Sequence, residues 1–191
     1  PTHHYRPTEF PGLEAWYAAP PRGVDPADYV TLALPVVAAP DDVGGAGWTV
    51  SAGSVVAGGI SDPDGNPYNL YTADGTTAVH DIKQAPVNLV ANRVTVVRIR
   101  VKRGTGETVA ISPDGIVAAY YDIVFGTVGT VPAGATATIA ALSDGGFELS
   151  LTYTSADITL RPLALVETDG GPLSNGSSGS MYVTHAEVVQ D

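Results

Sequence analysis

The chain has 191 residues with 9 basic and 20 acidic side chains, a formal net charge of -11, and no cysteine. That length suits one domain with a core of its own plus an arm, and the missing cysteines exclude a disulfide framework and a thiolate metal site. The acidic balance speaks against nucleic-acid binding, and no apolar run reaches the ~20 residues of a spanning helix, so neither a nucleic acid nor a membrane is expected as partner.

Residues 1 to 28 hold Pro1, Pro7, Pro11, Pro20, Pro21 and Pro26, a density that suits extended backbone and rules out a long helix. PTHHYRPTEF has neither a basic n-region nor an apolar h-region, so a native start after methionine removal is expected rather than a signal peptide. Proline keeps backbone donors and acceptors of this arm unpaired, and Phe10, Leu13, Trp16 and Tyr17 have little local core to enter. They are the candidate partner-anchoring residues, with folding back onto the chain's own core as the other reading.

Residues 29 to 191 read as one β-sandwich. Tyr29 to Ala39 is a strand candidate with Pro35 at an edge or bulge, and the Pro40 to Gly47 loop follows. Trp48 to Val56 is expected as one strand, then Tyr68 to Thr72 and Ala78 to Gln84. Val94 to Arg103 alternates strictly: Thr95, Val97, Ile99 and Val101 on one side, Arg98, Arg100 and Lys102 on the other. Five of the chain's 9 basic residues, Arg93, Arg98, Arg100, Lys102 and Arg103, lie in or beside this strand, a basic stripe that an acidic partner surface could meet. Glu107 to Ser112, Ile116 to Phe125, Thr136 to Leu142, Phe147 to Thr154, Ile158 to Glu167 and Met181 to Val189 complete the series. Phe147, Leu149, Leu151 and Tyr153 are expected inward, and Gly170 to Ser180 is a surface loop by composition. Turn signals recurring roughly every 8 to 15 residues imply an all-β, antiparallel jelly-roll sandwich with an extended N-terminal arm.

Asp62, Asp64 and Asn66 are spaced like the first ligands of a calcium loop, but the sixth-position Gly and the distal Glu are missing, so a plain Asp-Pro-Asp-Gly turn is the expectation. His3 and His4, adjacent on extended backbone, point apart and define no zinc site. No Gly-x-Ser-x-Gly elbow or phosphate-cradling glycine loop occurs, so no catalytic residue, metal or cofactor is assigned.

From Trp48 onward the chain resembles the carbohydrate-binding-module-like jelly-roll domains of tail and capsid-surface proteins of double-stranded DNA bacteriophages. The likeness rests on Trp48 opening a strand, on Pro63-Asp64-Gly65, on Ile82-Lys83-Gln84 and on Val101-Lys102. It continues with Tyr121-Asp122-Ile123, Gly126-Thr127-Val128, Gly146-Phe147 and the closing strand from Tyr182 to Glu187. Where that family often has Gly-Trp-Tyr-Arg, this chain has Gly-Phe-Glu-Leu at Gly146 to Leu149. The resemblance implies a non-enzymatic virion-surface protein, a capsid decoration or head-fibre protein held by its arm to the major capsid protein or other virion subunits. It further implies a homo-oligomer, for instance a trimer. The alternative is a receptor-recognition module of a tail appendage that binds a host-surface glycan, with Trp48, Tyr68, Tyr71, Tyr120 and Tyr121 as the candidate platform.

Overall fold

The computed structural model describes residues 36–41, 48–84, 90–112, 118–155, 161–166, 169 and 179–190, with the backbone alone for 36–41, 84 and 161–166. The chain divides into two units, Pro1–Ala33 and Leu34–Asp191, and every described residue belongs to the second. The proposed arm with Phe10, Leu13, Trp16 and Tyr17 lies outside the described residues, as do His3 and His4.

The described residues form an antiparallel β-sandwich. Its strands are β1 (Val36–Asp41), β2 (Trp48–Ser51), β3 (Gly53–Ser61), β4 (Pro67–Ala73), β5 (Asp81–Gln84), β6 (Val94–Arg103) and β7 (Thr108–Ser112). Then come β8 (Ala119–Asp122), β9 (Thr127–Val128), β10 (Thr136–Ala141), β11 (Phe147–Thr154), β12 (Arg161–Val166) and β13 (Ser180–Gln190). One sheet runs β10-β11-β6-β13-β4-β3, with β1 pairing β13 alongside; the other runs β2-β5-β12-β7-β8-β9. The chain crosses repeatedly between the two sheets, as a jelly roll requires.

The core lies between them. Val97, Ile99 and Val101 of β6, Leu149, Leu151 and Tyr153 of β11, and Met181, Val183 and Val188 of β13 meet Ile82, Val109, Ile111, Ala119 and Tyr121 of the second sheet. These are the positions that period-two alternation directs inward, and burying each large apolar side chain contributes about 1.5–3 kcal/mol. Charge sets the register on the other face of β6: Arg100 stands opposite Glu148 of β11, and Arg98 opposite Glu187 of β13. Opposite charges directly across a strand pair stabilise that pairing over its slipped alternatives.

Two irregularities depart from the expected strands. Trp48 to Val56 is two strands, because the chain leaves one sheet and enters the other at Ala52, a non-glycine residue at φ 49. Tyr71 holds this switch: its ring is buried, its hydroxyl donates to the Ser51 carbonyl at 3.0 Å, and a Cβ on Gly53 would stand 2.8 Å from its ring. In β13 the pairing with β6 skips from Thr184 to Ala186, with His185 at φ 47 as the bulged residue. The bulge turns an odd inward phase, Met181 and Val183, into an even one, Ala186 and Val188.

Tyr71→Phe keeps the packing and removes only the hydroxyl, leaving the Ser51 carbonyl without that donor. The expected loss is about 1 kcal/mol in urea unfolding. A midpoint unchanged from the parent would remove Tyr71 from this role.

Candidate functional site

The polar groups singled out in the sequence converge on the outer face of the larger sheet, around Arg100 of β6. Its flat guanidinium, with several donors in fixed directions, reaches three carboxylates. Nη1 donates to Asp62 at 2.7 Å and also to Asp64, while Nε donates to Glu148 at 3.1 Å. The Asp62 side chain is completely buried, Glu148 is partly covered and Asp64 is largely exposed.

Asp62 organises the turn between β3 and β4. Its Oδ1 accepts the N–H groups of Asp64 and Asn66 at 3.0 and 2.8 Å, and its Oδ2 accepts from Asn66 Nδ2 at 2.9 Å as well as from Arg100. Both oxygens are thus engaged by donors, and Arg100 supplies the positive charge a calcium ion would have brought. The ligand-like spacing of Asp62, Asp64 and Asn66 is the spacing of an Asx-capped turn. Burial on its own would push the Asp62 carboxyl up; the hydrogen bonds from Asn66 and Arg100 outweigh it and hold the group below the usual carboxylate range.

A second turn, between β10 and β11, is fastened the same way. Lys102 Nζ donates to the Asp144 carbonyl and lies 3.7 Å from the Asp144 carboxylate, while Asp144 Oδ1 accepts the Gly146 N–H at 3.0 Å. Beneath the two turns sits Tyr68, its ring edge-on to Tyr182 with centroids 6.3 Å apart. Burial and the neighbouring Asp144 carboxylate push the Tyr68 hydroxyl well above the ordinary phenol range. A Cβ on Gly146 would stand 2.7 Å from that hydroxyl and 2.9 Å from the Val101 carbonyl, so this tight corner needs glycine.

The basic face Arg98, Arg100 and Lys102 is therefore not a free stripe. Arg98 pairs with Glu187 at 2.9 Å, and even Arg103 at the strand end lies 3.5 Å from Glu107. The cations of this face neutralise the sheet's own carboxylates and tie turns to it.

The candidate glycan platform is likewise corrected. Tyr68, Tyr71 and Tyr121 are 0% exposed and Tyr120 is 8% exposed, while Trp48 is partly buried against the core. The physical reason is that a tyrosine can cross an apolar layer if its hydroxyl finds an acceptor beyond it. Tyr121 does so by donating to the Ser150 carbonyl of the facing sheet at 2.8 Å, and Tyr71 does so at Ser51. The four tyrosine rings, so covered, offer no face to a sugar, whereas Trp48 is covered only in part.

Sequence reasoning gave no site role to Tyr182, Asp144, Glu148, Glu187 or Gln190, although Tyr182 and Glu187 bound its closing strand. Tyr182 is half-buried on the outer face, opposite Lys102 on one side and Leu70 on the other. The alternation of FELSLTYT did place Glu148 outward; its partner lies 48 residues earlier in the chain, beyond the reach of any local pattern. At one end of the sandwich a second polar cluster places His80 Nε2 at 3.2 Å from Asp74 and Lys83 at 3.2 Å from Asp81. Asp74 also accepts the Thr76 N–H and hydroxyl at 3.0 and 2.6 Å, so this cluster too fastens a turn.

No protein-family model matches the chain, and no curated protein matches it. Among solved structures, it is similar to the CBM22-1–GH10 modules of Clostridium thermocellum endo-1,4-beta-D-xylanase 10B complexed with xylohexaose. The identity is 12%, the TM-score 0.44, and the match covers 82% of this chain and 28% of that one. It is also similar to the CBM22-1 xylan-binding domain from Paenibacillus barcinonensis Xyn10C, at 12% identity and TM-score 0.41, covering 83% of this chain and 96% of that one.

Proposed function

We propose that the chain is a non-enzymatic structural module of a bacteriophage virion surface, a capsid decoration or head-fibre protein held to other virion subunits by residues 1 to 28. The observation that carries this reading is the use of the charged groups around Arg100. Asp62, Asp64, Glu148 and Asp144 are committed to locking two turns onto the sheet, which suits a rigid display domain and serves no chemistry. The sequence resemblance in the turns and strands from Trp48 onward supplies the virion context.

Removing residues 1 to 28 is expected to leave a folded domain that no longer incorporates into phage particles, read by co-sedimentation with arm-free and full-length protein side by side. Normal incorporation of the truncated chain would move the anchor onto the sandwich, and unfolding on truncation would make the arm part of the core.

One observation favours a second reading, a glycan-binding module. Tyr182 is partly exposed and flanked by side chains held in place by ion pairs, and sugars are recognised by a ring face beside fixed polar groups. Saturable binding on a glycan array that Tyr182→Ala abolishes would establish it. Loss of binding with retained fold is required, since Tyr182 also packs against Tyr68.

A further inference from the structure

We infer that the Lys102 side chain becomes joined to the Asp144 carboxyl by an intramolecular amide bond, a covalent clasp between β6 and the β10–β11 turn that forms with loss of one water. The pair differs from the other ion pairs of this face in how it closes. Arg98 meets Glu187 at 2.9 Å, and Arg100 meets Asp62 and Glu148 at 2.7 and 3.1 Å, all within hydrogen-bond range. Lys102 Nζ instead stands 3.7 Å from Asp144 Oδ2 and gives its hydrogen bond to the Asp144 main-chain carbonyl. Oδ2 is buried and, among the described residues, receives no hydrogen bond. The Tyr68 hydroxyl, buried next to this carboxylate, likewise closes no hydrogen bond of normal geometry.

Two buried polar groups and a lysine thus face one another without satisfying one another. A buried carboxylate oxygen without a donor is costly, and such orphans are rare enough in folded proteins to call for a cause. Asp62 shows the contrast, since both of its oxygens are engaged by donors. An amide at Asp144 removes the ammonium and the carboxylate charge together. It also removes Oδ2 and keeps Oδ1, the oxygen that already accepts the Gly146 N–H.

The surroundings supply each step. Proton transfer from the Lys102 ammonium to Asp144 Oδ2 turns the pair into an amine and a carboxylic acid with no net change of charge. The hydrogen bond to the Asp144 carbonyl keeps Nζ over the residue it attacks. Gly146 N–H, at 3.0 Å from Oδ1, stabilises the negative charge that develops there as Nζ bonds to Cγ. The Cγ–Oδ2 bond then breaks, and Oδ2 leaves as water with the proton it took up and a second from the Tyr68 hydroxyl, which recovers one from Nζ. Amine and acid become amide and water, so no further reactant is needed. The inference concerns the sandwich alone and rests on neither the virion nor the glycan reading.

Intact-mass spectrometry of the full chain, denatured after purification and again after storage at neutral pH, tests this. The expected mass is one water below that of the sequence, and a digest should keep the β6 peptide joined to the peptide that carries Asp144. Lys102→Arg and Asp144→Ala should each retain the full mass of their own sequences. Asp144→Asn should expel ammonia in place of water and arrive at the mass of the joined parent, because the two products are the same amide. Tyr68→Phe keeps the ring and should slow the loss of water roughly a hundredfold, with an unchanged far-UV spectrum showing that the fold is retained. A parent chain that keeps its full mass through storage overturns the inference. So does a loss of water that persists in Lys102→Arg, which would place it in ring closure at an aspartyl-glycyl step such as Asp144-Gly145.

Discussion

Replacing Arg100 with methionine is expected to lower stability by about 3 kcal/mol, a loss in the range seen when one partner of a buried ion pair is removed. The reason lies less in the attraction that disappears than in what remains. The Asp62 side chain is fully buried and cannot take up water in place of the guanidinium, so its negative charge stands with only Asn66 and two backbone N–H groups as donors. Glu148 and Asp64 lose less, being partly or largely exposed, where ion pairs are screened. Arg100→Lys should fall between, because a single ammonium carries the charge but cannot span three carboxylates arranged around a planar fork.

The pH dependence separates this account from a mere packing defect. With Arg100 present the Asp62 carboxyl is held below its ordinary value, so its contribution is complete above about pH 4 and is lost as pH falls through the lower folded value. Without Arg100 its hydrogen bond and charge no longer lower the folded value, so the variant has less of that contribution to lose on protonation than the parent. The deficit should therefore be large in urea unfolding at about pH 7 and shrink at about pH 3. A deficit of the same size at both pH values would point to lost packing of the arginine stem.

The same cluster shows which parts of the molecule can be read from its sequence. β11 was expected at Phe147 to Thr154 and β6 at Val94 to Arg103, and both occur with those bounds, because strict alternation of apolar and polar residues leaves one face for each side chain. The run from Trp48 to Val56 looked like one strand because Val50, Val55 and Val56 suit either sheet equally; the change of sheet depends on a single positive φ at Ala52 and on Tyr71, 20 residues away from Ser51. The β13 bulge does leave a local trace, the three-residue step from Val183 to Ala186 where a regular strand would step by two. Arg98 and Arg100 could be placed on a wet face, but not discharged there. Glu187 is 89 residues from Arg98, and only the folded order of strands brings it opposite. Tyrosine is ambiguous for a related reason: its hydroxyl is satisfied equally by water outside or by a carbonyl on the far wall of the core, and the residue type does not distinguish the two.

Gln190→Ala is expected to cost about 2 kcal/mol, a large effect for a residue at the last position of the last strand. Its amide is buried at the end of the sandwich, where it joins three separate segments. Nε2 donates to the Val90 carbonyl and to Thr95 Oγ1, both at 2.9 Å, and lies 3.0 Å from Ser155 Oγ, while Oε1 accepts the Val90 N–H at 2.8 Å. Thr95 and Ser155 are buried as well, so water does not readily replace the amide, and truncation leaves polar groups short of partners in a dry corner. Gln190→Glu tests the polarity of the contact separately from its size. A protonated glutamic acid can still donate to the Val90 carbonyl; an ionised one turns a second oxygen toward it. Burial would raise the folded pKa of the introduced acid above its ordinary value near 4.3, so this variant should approach the parent at low pH. The deficit should open as pH climbs from the ordinary value to the raised one. Urea midpoints across that interval decide the matter: a Gln190→Glu protein as stable as the parent at about pH 7 would mean that the amide's hydrogen bonds do not hold the C-terminal strand to the loops at Val90 and Ser155.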